Sequence, residues 1–123
     1  MVVDTSVILA VYFDDARASW AVEQLNRNAR ALRMSTVNLT ESLIRIRDRQ
    51  PTLAQELEHR LLTSGIRFVP PDESQAVIAA EARLRFPLNL GDCFAYALAR
   101  VEQCPILTLD EDFKNLDVSV VIP

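Results

Sequence analysis

Short apolar runs separated by longer stretches of helical periodicity restrict this chain's possible folds more than any other feature. The runs are Val2–Asp4, Arg33–Ser35, "IRFV" at 66–69, "ILTL" at 106–109 and "VSVVI" at 118–122. Between them, apolar residues recur every three or four positions, the spacing of one helix face. Ser6–Phe13 reads as a first helix. A second follows Asp14 or Asp15 and carries Trp20, Val22 and Leu25 toward Leu32. Thr36–Asp48 has Leu39, Leu43 and Ile46 at core spacing, and Pro51 opens the next helix at the position prolines favour, with Leu53, Leu57 and Leu61 as its inner stripe. Gly65 suits the stop of that helix. After Pro70 and Pro71, Asp72 or Ser74 caps a helix containing Val77, Ala80 and Leu84, and a last helix opens at Gly91. Strands joined through helices pair in parallel, which predicts an α/β fold whose central parallel sheet is covered by helices on both faces. At 123 residues, the span 1–123 is expected to be a single domain.

In such sheets, ligands bind outside the C-terminal ends of the strands. Asp4 ends the first strand and Asp110 follows "ILTL", so both carboxylates fall on one rim. Asp92 stands at the start of a helix able to face that rim, and Glu41 borders the inward stripe of its own helix. Each has a plainer reading. Asp4 and Asp92 suit helix caps, Glu41 precedes Arg45 in the order that favours a helical ion pair, and Asp110 suits the turn "DEDF". The common rim is what sets the four apart from surface acids such as Glu56, Glu58 and Glu81.

Gathered carboxylates repel one another unless a cation or protons intervene. An all-oxygen donor set suits Mg²⁺ or Mn²⁺, whereas zinc recruits His or Cys, and the only histidine, His59, falls on the outer face of its helix. One histidine also argues against Ser-His-Asp or Cys-His nucleophiles. With only Gly65 and Gly91, the chain has neither a Walker loop nor a dinucleotide fingerprint. Cys93 and Cys104, read as lying on one helix roughly 16 Å apart, are beyond disulfide reach and fit reduced thiols in the cytoplasm. No apolar run approaches the about 18 residues of a membrane span, and no basic leader precedes an apolar one, so a soluble, unexported protein is expected. The net charge of −4 argues against a nucleic-acid coat protein but not against a nuclease, whose clustered acids contribute to it.

Four phrases in order, "VVDTSV", "NLTESL", "LGDCFAYALA" and "ILTLDEDF", closely resemble the PIN-domain family, and its VapC-type toxin ribonucleases in particular, over essentially the whole chain. The resemblance implies a three-layer α/β/α fold. It also implies Mg²⁺- or Mn²⁺-dependent endoribonuclease activity, with Asp4, Glu41, Asp92 and Asp110 as catalytic metal ligands. Asp112, the acid nearest Phe113, competes with Asp110 for the fourth place. The partners implied are an RNA substrate, a cognate antitoxin and a second copy in a homodimer, with no membrane. The apolar first helix and Trp20 are expected to leave an exposed patch for such a partner. Thr5 and Ser6 stand where they can hydrogen-bond a ligand or phosphate, and Arg45 and Arg49 share one helix face where they can meet RNA phosphates or bridge Glu41 and Asp48. The alternatives are a PIN nuclease of cellular RNA processing and a non-catalytic, receiver-like signalling module. The latter requires a lysine near the end of a late strand, where this chain has "LTLD" and "VVIP".

Overall fold

A computed structural model describes residues 1–123. Its five short strands are β1 (Val2–Val3), β2 (Arg33–Ser35), β3 (Arg67–Val69), β4 (Ile106–Leu107) and β5 (Val120–Val121). The helices are α1 (Thr5–Tyr12), α2 (Ala18–Arg27), α3 (Thr36–Arg49), α4 (Ala54–Leu62), α5 (Glu73–Arg85) and α6 (Leu90–Glu102), with one 3₁₀ turn at Glu111–Phe113. Every strand pairing is parallel and the sheet order is β3-β2-β1-β4-β5.

The central strand β1 joins both halves. Val2 pairs with Arg33 on one side and Ile106 on the other, and Val3 with Leu107. Side chains alternate across a strand, so neighbouring residues serve opposite layers. Val3 and Leu107 pack with Val7, Ile46 and Leu61 under α1 to α4, whereas Val2 and Ile106 pack with Leu88, Tyr96 and Phe113 under α5 and α6. The chain runs outward from β1 to β2 and β3, then returns across the sheet to β4 and on to β5. Right-handed crossovers in opposite directions lie on opposite faces, which makes the expected three layers. The direction of winding therefore switches between β1 and β4, the position where open sheets form a ligand crevice.

The last helix is the most enclosed. Gly91 to Cys93 and Ala95 to Ala99 are all buried along α6, because residues this small let the helix approach both the sheet and α5. Tyr96 fits among them by turning its hydroxyl outward, donating to Asp117 Oδ1 at 2.6 Å and accepting from Arg100. It is a packing residue, as a mid-helix tyrosine between alanines suggests.

Several local expectations change. Pro51 does not open α4; it follows the C-cap of α3, sits in a turn closed by Leu53 N–H onto Gln50 O, and acts as a terminator because it has no N–H to extend that helix. Leu53 consequently precedes α4 and is exposed, leaving Leu57 and Leu61 as the buried stripe. Val77, Ala80 and Leu84 face outward on α5, whose buried positions are Gln75, Ala79 and Ala82. Cys104 lies beyond α6, which Gln103 ends in a left-handed conformation (φ 53°), and both thiols are free. The first helix leaves no large exposed patch: Val7, Ile8 and Ala10 are buried, and Leu9, Val11, Tyr12, Phe13 and Trp20 are half-buried. His59 is exposed, as its helix face requires. No helix is long and apolar enough to cross a membrane.

The close packing of α6 has a direct consequence. Ala97→Leu forces extra methylenes into fully buried space and should cost about 1–3 kcal/mol, whereas Leu84→Ala, at a position 90% exposed, should change stability by less than about 0.5 kcal/mol. Urea unfolding midpoints of the two variants check the contrast.

Candidate acidic active site

At the end of β1, Asp4 is the N-cap of α1, and its carboxylate is 3% exposed. Its Oδ2 accepts from the Ser6 hydroxyl at 2.7 Å, the Thr108 hydroxyl at 2.9 Å and, more weakly, Ser6 N–H at 3.4 Å. Those hydroxyls are oriented by the chain after β4. Leu109 N–H donates to Ser6 Oγ at 2.9 Å and Asp110 N–H donates to Thr108 Oγ1 at 3.0 Å, which turns each hydroxyl proton toward Asp4. Burial pushes the Asp4 carboxyl above the ordinary aspartate range, against the downward pull of the Ser6 and Thr108 hydrogen bonds; the Asp110 charge adds to the rise.

Asp92 occupies the third position of α6 and forms a capping box with Asn89. Asn89 Oδ1 accepts from Asp92 N–H at 2.8 Å, and Asp92 Oδ2 accepts from Asn89 N–H at 3.1 Å. Its carboxyl is pushed up to about 7, first by burial and then by the Asp4 charge, with Asp110 and Glu41 adding smaller increments against the pull of Asn89 N–H.

Glu41 forms no ion pair with Arg45. Its Oε1 accepts from Thr5 Oγ1 at 3.0 Å and Asn38 Nδ2 at 2.9 Å, and Asn38 Nδ2 also donates to Gly91 O at 3.0 Å. The fully buried Asn38 thus ties α3 to the start of α6. Glu41 also lies directly against Gly91, where a Cβ would overlap its carboxylate, so any other residue there displaces the acid. Asp110 is the N-cap of the 3₁₀ turn and accepts from Asp112 N–H at 2.9 Å through Oδ1. Asp112 contributes only that N–H, its side chain being exposed.

The structure therefore brings the charges of Asp4, Asp110 and Glu41 within reach of the Asp92 carboxyl, and that of Asp110 within reach of Asp4. Each of the four spends one oxygen on protein donors and leaves the other without one. Hard oxygen donors with a free oxygen apiece fit a divalent cation such as Mg²⁺ or Mn²⁺. No three of these side chains form a preassembled chelate, so a cation would have to draw them together. Sequence reasoning reached Thr5 and Ser6 as helpers of the acids. It missed Thr108, Asn38 and the contact of Gly91 with Glu41. Asn38 precedes Glu41 by three residues, a helical neighbour spacing that offered a signal; Thr108 is 104 residues from Asp4 and offered none.

The PIN domain family model matches residues 1–119. The chain belongs to the PIN-domain family. A VapC ribonuclease of Mycobacterium bovis is 34% identical over 128 aligned residues, covering 96% of each chain, which puts this PIN domain among the VapC-type members. Two solved structures share the fold. Mycobacterium tuberculosis VapC20, a sarcin-ricin loop cleaving toxin, superposes with a TM-score of 0.85 at 21% identity over 99% of this chain and 98% of its own. A Klebsiella pneumoniae toxin-antitoxin complex gives 0.75 at 20% identity over 98% and 94%. Within this PIN fold Asp4 follows β1 and Asp110 lies beyond β4, the two strands between which winding reverses.

The raised carboxyls set a pH dependence for the metal-free PIN domain. A group with a folded pKa above its unfolded value binds more protons when folded, so stability falls as pH rises through that window. For Asp92 the window runs from 3.8 to about 7, and Asp4 acts in the same direction. In chelator, stability should fall between these pH values by on the order of a few kcal/mol. Asp92→Asn keeps an oxygen for Asn89 N–H without the charge and should flatten the curve, as denaturant titrations across pH would show.

Proposed function

We propose that this protein is a Mg²⁺- or Mn²⁺-dependent endoribonuclease acting as the toxin of a VapBC-type toxin-antitoxin pair. The observation that carries this reading is the Asp92 carboxyl reached by the charges of Asp4, Asp110 and Glu41 in a PIN fold, with one oxygen of each of the four unclaimed. Asp4, Glu41, Asp92 and Asp110 would hold the cation and form the catalytic site. A bound cation supplies charge neutralisation at the scissile phosphate and acidifies the attacking water.

The chain's own residues supply orientation. Ser6 and Thr108 anchor one oxygen of Asp4, Thr5 and Asn38 one of Glu41, and Asn89 one of Asp92, which leaves the other oxygen of each for the cation that would draw them together. With its carboxyl near 7, Asp92 holds a proton in part of the population at neutral pH, and that proton competes with a cation. Cation affinity should therefore rise with pH through that range.

Purified protein should cut RNA with Mg²⁺ or Mn²⁺ and stop in chelator. Asp4→Asn and Asp92→Asn should each lower cleavage at least about a hundredfold while keeping the metal-free fold as stable as the parent or more so. Equal cutting with and without metal defeats the mechanism, and an unfolded Asp92→Asn variant whose folded fraction stays active reduces Asp92 to a cap.

The same reading gives the protein a cytoplasmic life, a cognate antitoxin and a homodimeric state. The known toxin-antitoxin complex of similar fold supports the antitoxin. Val77 and Leu84, 59% and 90% exposed along one side of α5, support an association surface. Sedimentation should give twice the 13.9 kDa chain mass, and expression without the neighbouring antitoxin gene should arrest growth. A monomer that cuts RNA without affecting growth would be a PIN nuclease of cellular RNA processing.

A further inference from the structure

We infer that a recess between α1 and α3, beside the acids, binds neighbouring backbone phosphates of the substrate strand through Arg45 and Arg49, one to each guanidinium. The inference rests on the ribonuclease reading and adds a substrate-binding subsite to it. A cluster of carboxylates in a chain of net charge −4 repels a polyanion, so positive charge must meet the strand close by. This recess, about 240 Å³, is lined by Ser6, Phe13, Asp15, Arg17, Arg45 and Arg49 among others. Ser6 is the residue whose hydroxyl holds Asp4, so the recess adjoins the acidic rim. A second recess of about 250 Å³ shares Leu9 and Arg45 with it and is bordered by Thr5 and Glu41, which extends the path to the other side of the acids.

The charges in the recess are not self-cancelling. Arg17 is committed to Asp15, with Nη2 3.4 Å from Oδ2, and donates to Leu109 O. Eight of the protein's arginines pair with carboxylates, whereas Arg45 and Arg49 pair with none. Neither takes Glu41 or Asp48 as a partner. Arg49 instead stands over the Phe13 ring, its guanidinium carbon 4.0 Å from the centroid, which holds the guanidinium in place while leaving its N–H groups free. Four residues apart on α3, the two share one helix face and line the same recess. Planar five-donor forks in that arrangement match phosphate oxygens, and an ion with its own carboxylate would find no such opening.

The test uses fluorescence anisotropy of a labelled, mixed-sequence single-stranded RNA of about ten nucleotides, with Mg²⁺ and Asp92→Asn protein so that the strand stays whole. Adding Arg45→Ala and Arg49→Ala together should weaken binding roughly ten- to hundredfold and reduce the slope of log affinity against log salt by about 1.4. Arg45→Ala alone, at a side chain with no partner in the fold, should reduce the slope by about 0.7 without moving the melting temperature. Arg30→Ala with Arg83→Ala, both also without an ion pair but outside the recess, should leave affinity at the parent value after allowance for net charge. Unchanged affinity and slope in both recess variants, with the wild type still cutting RNA, overturns the subsite alone. A wild type that neither binds nor cuts RNA overturns the ribonuclease reading and the subsite together.

Discussion

Burial of Asp4 at the end of the central strand is the constraint around which the site is built. A carboxylate 3% exposed would take up a proton or destabilise the fold unless donors met it, and two hydroxyls and a backbone N–H do so on a single oxygen. Those hydroxyls come from α1 and from the chain after β4, so the strand pairing of Val3 with Leu107 and the hydrogen bonding of Asp4 stand or fall together. The second oxygen receives nothing. Asp92 and Glu41 repeat this arrangement from α6 and α3, and the charges of Asp4, Asp110 and Glu41 raise the proton affinity of Asp92. The apolar layers thus stabilise a local electrostatic conflict that the site would use.

Asn38 and Gly91 make that convergence geometrically possible. Asn38 donates to Glu41 and to the α6 backbone, and Gly91 leaves out the side chain that would occupy the place of the Glu41 carboxylate. Helix α6 serves two ends at once. Its small residues allow deep burial between sheet and α5, and its capping box turns Asp92 toward the rim while satisfying N–H groups that would otherwise be orphaned. Arginines 45 and 49 complete the arrangement from the outer side, where their charge is not spent within the fold.

Much of this was legible in the sequence. The alternation of strand-like and helical segments led to a parallel three-layer sheet, Arg33–Ser35 forms a strand with those bounds, Asp72 is a cap, and Asp4 and Asp110 follow β1 and β4 because strand ends are a property of local pattern. Among the local assignments that failed, three show the physical reasons. Helix α5 is apolar around much of its circumference, from Ala76 to Leu84, so periodicity could not fix its phase and the outward side was read as inward. Pro51 suits either side of a helix boundary, and the closing turn at Gln50–Leu53 decided between them. The apolar first helix found cover in α2 and α3, which no count of its own residues could foretell.

The sequence by itself determined the class of fold and the positions of Asp4 and Asp92 at helix starts, because period, caps and strand ends are encoded within a few residues of one another. Only the tertiary structure decided which groups hold those acids and that Glu41 turns to Thr5 and Asn38 instead of Arg45. These choices depend on contacts between residues as much as 104 positions apart, and a hydrogen bond across such a gap exists only after the sheet has brought its strands into register.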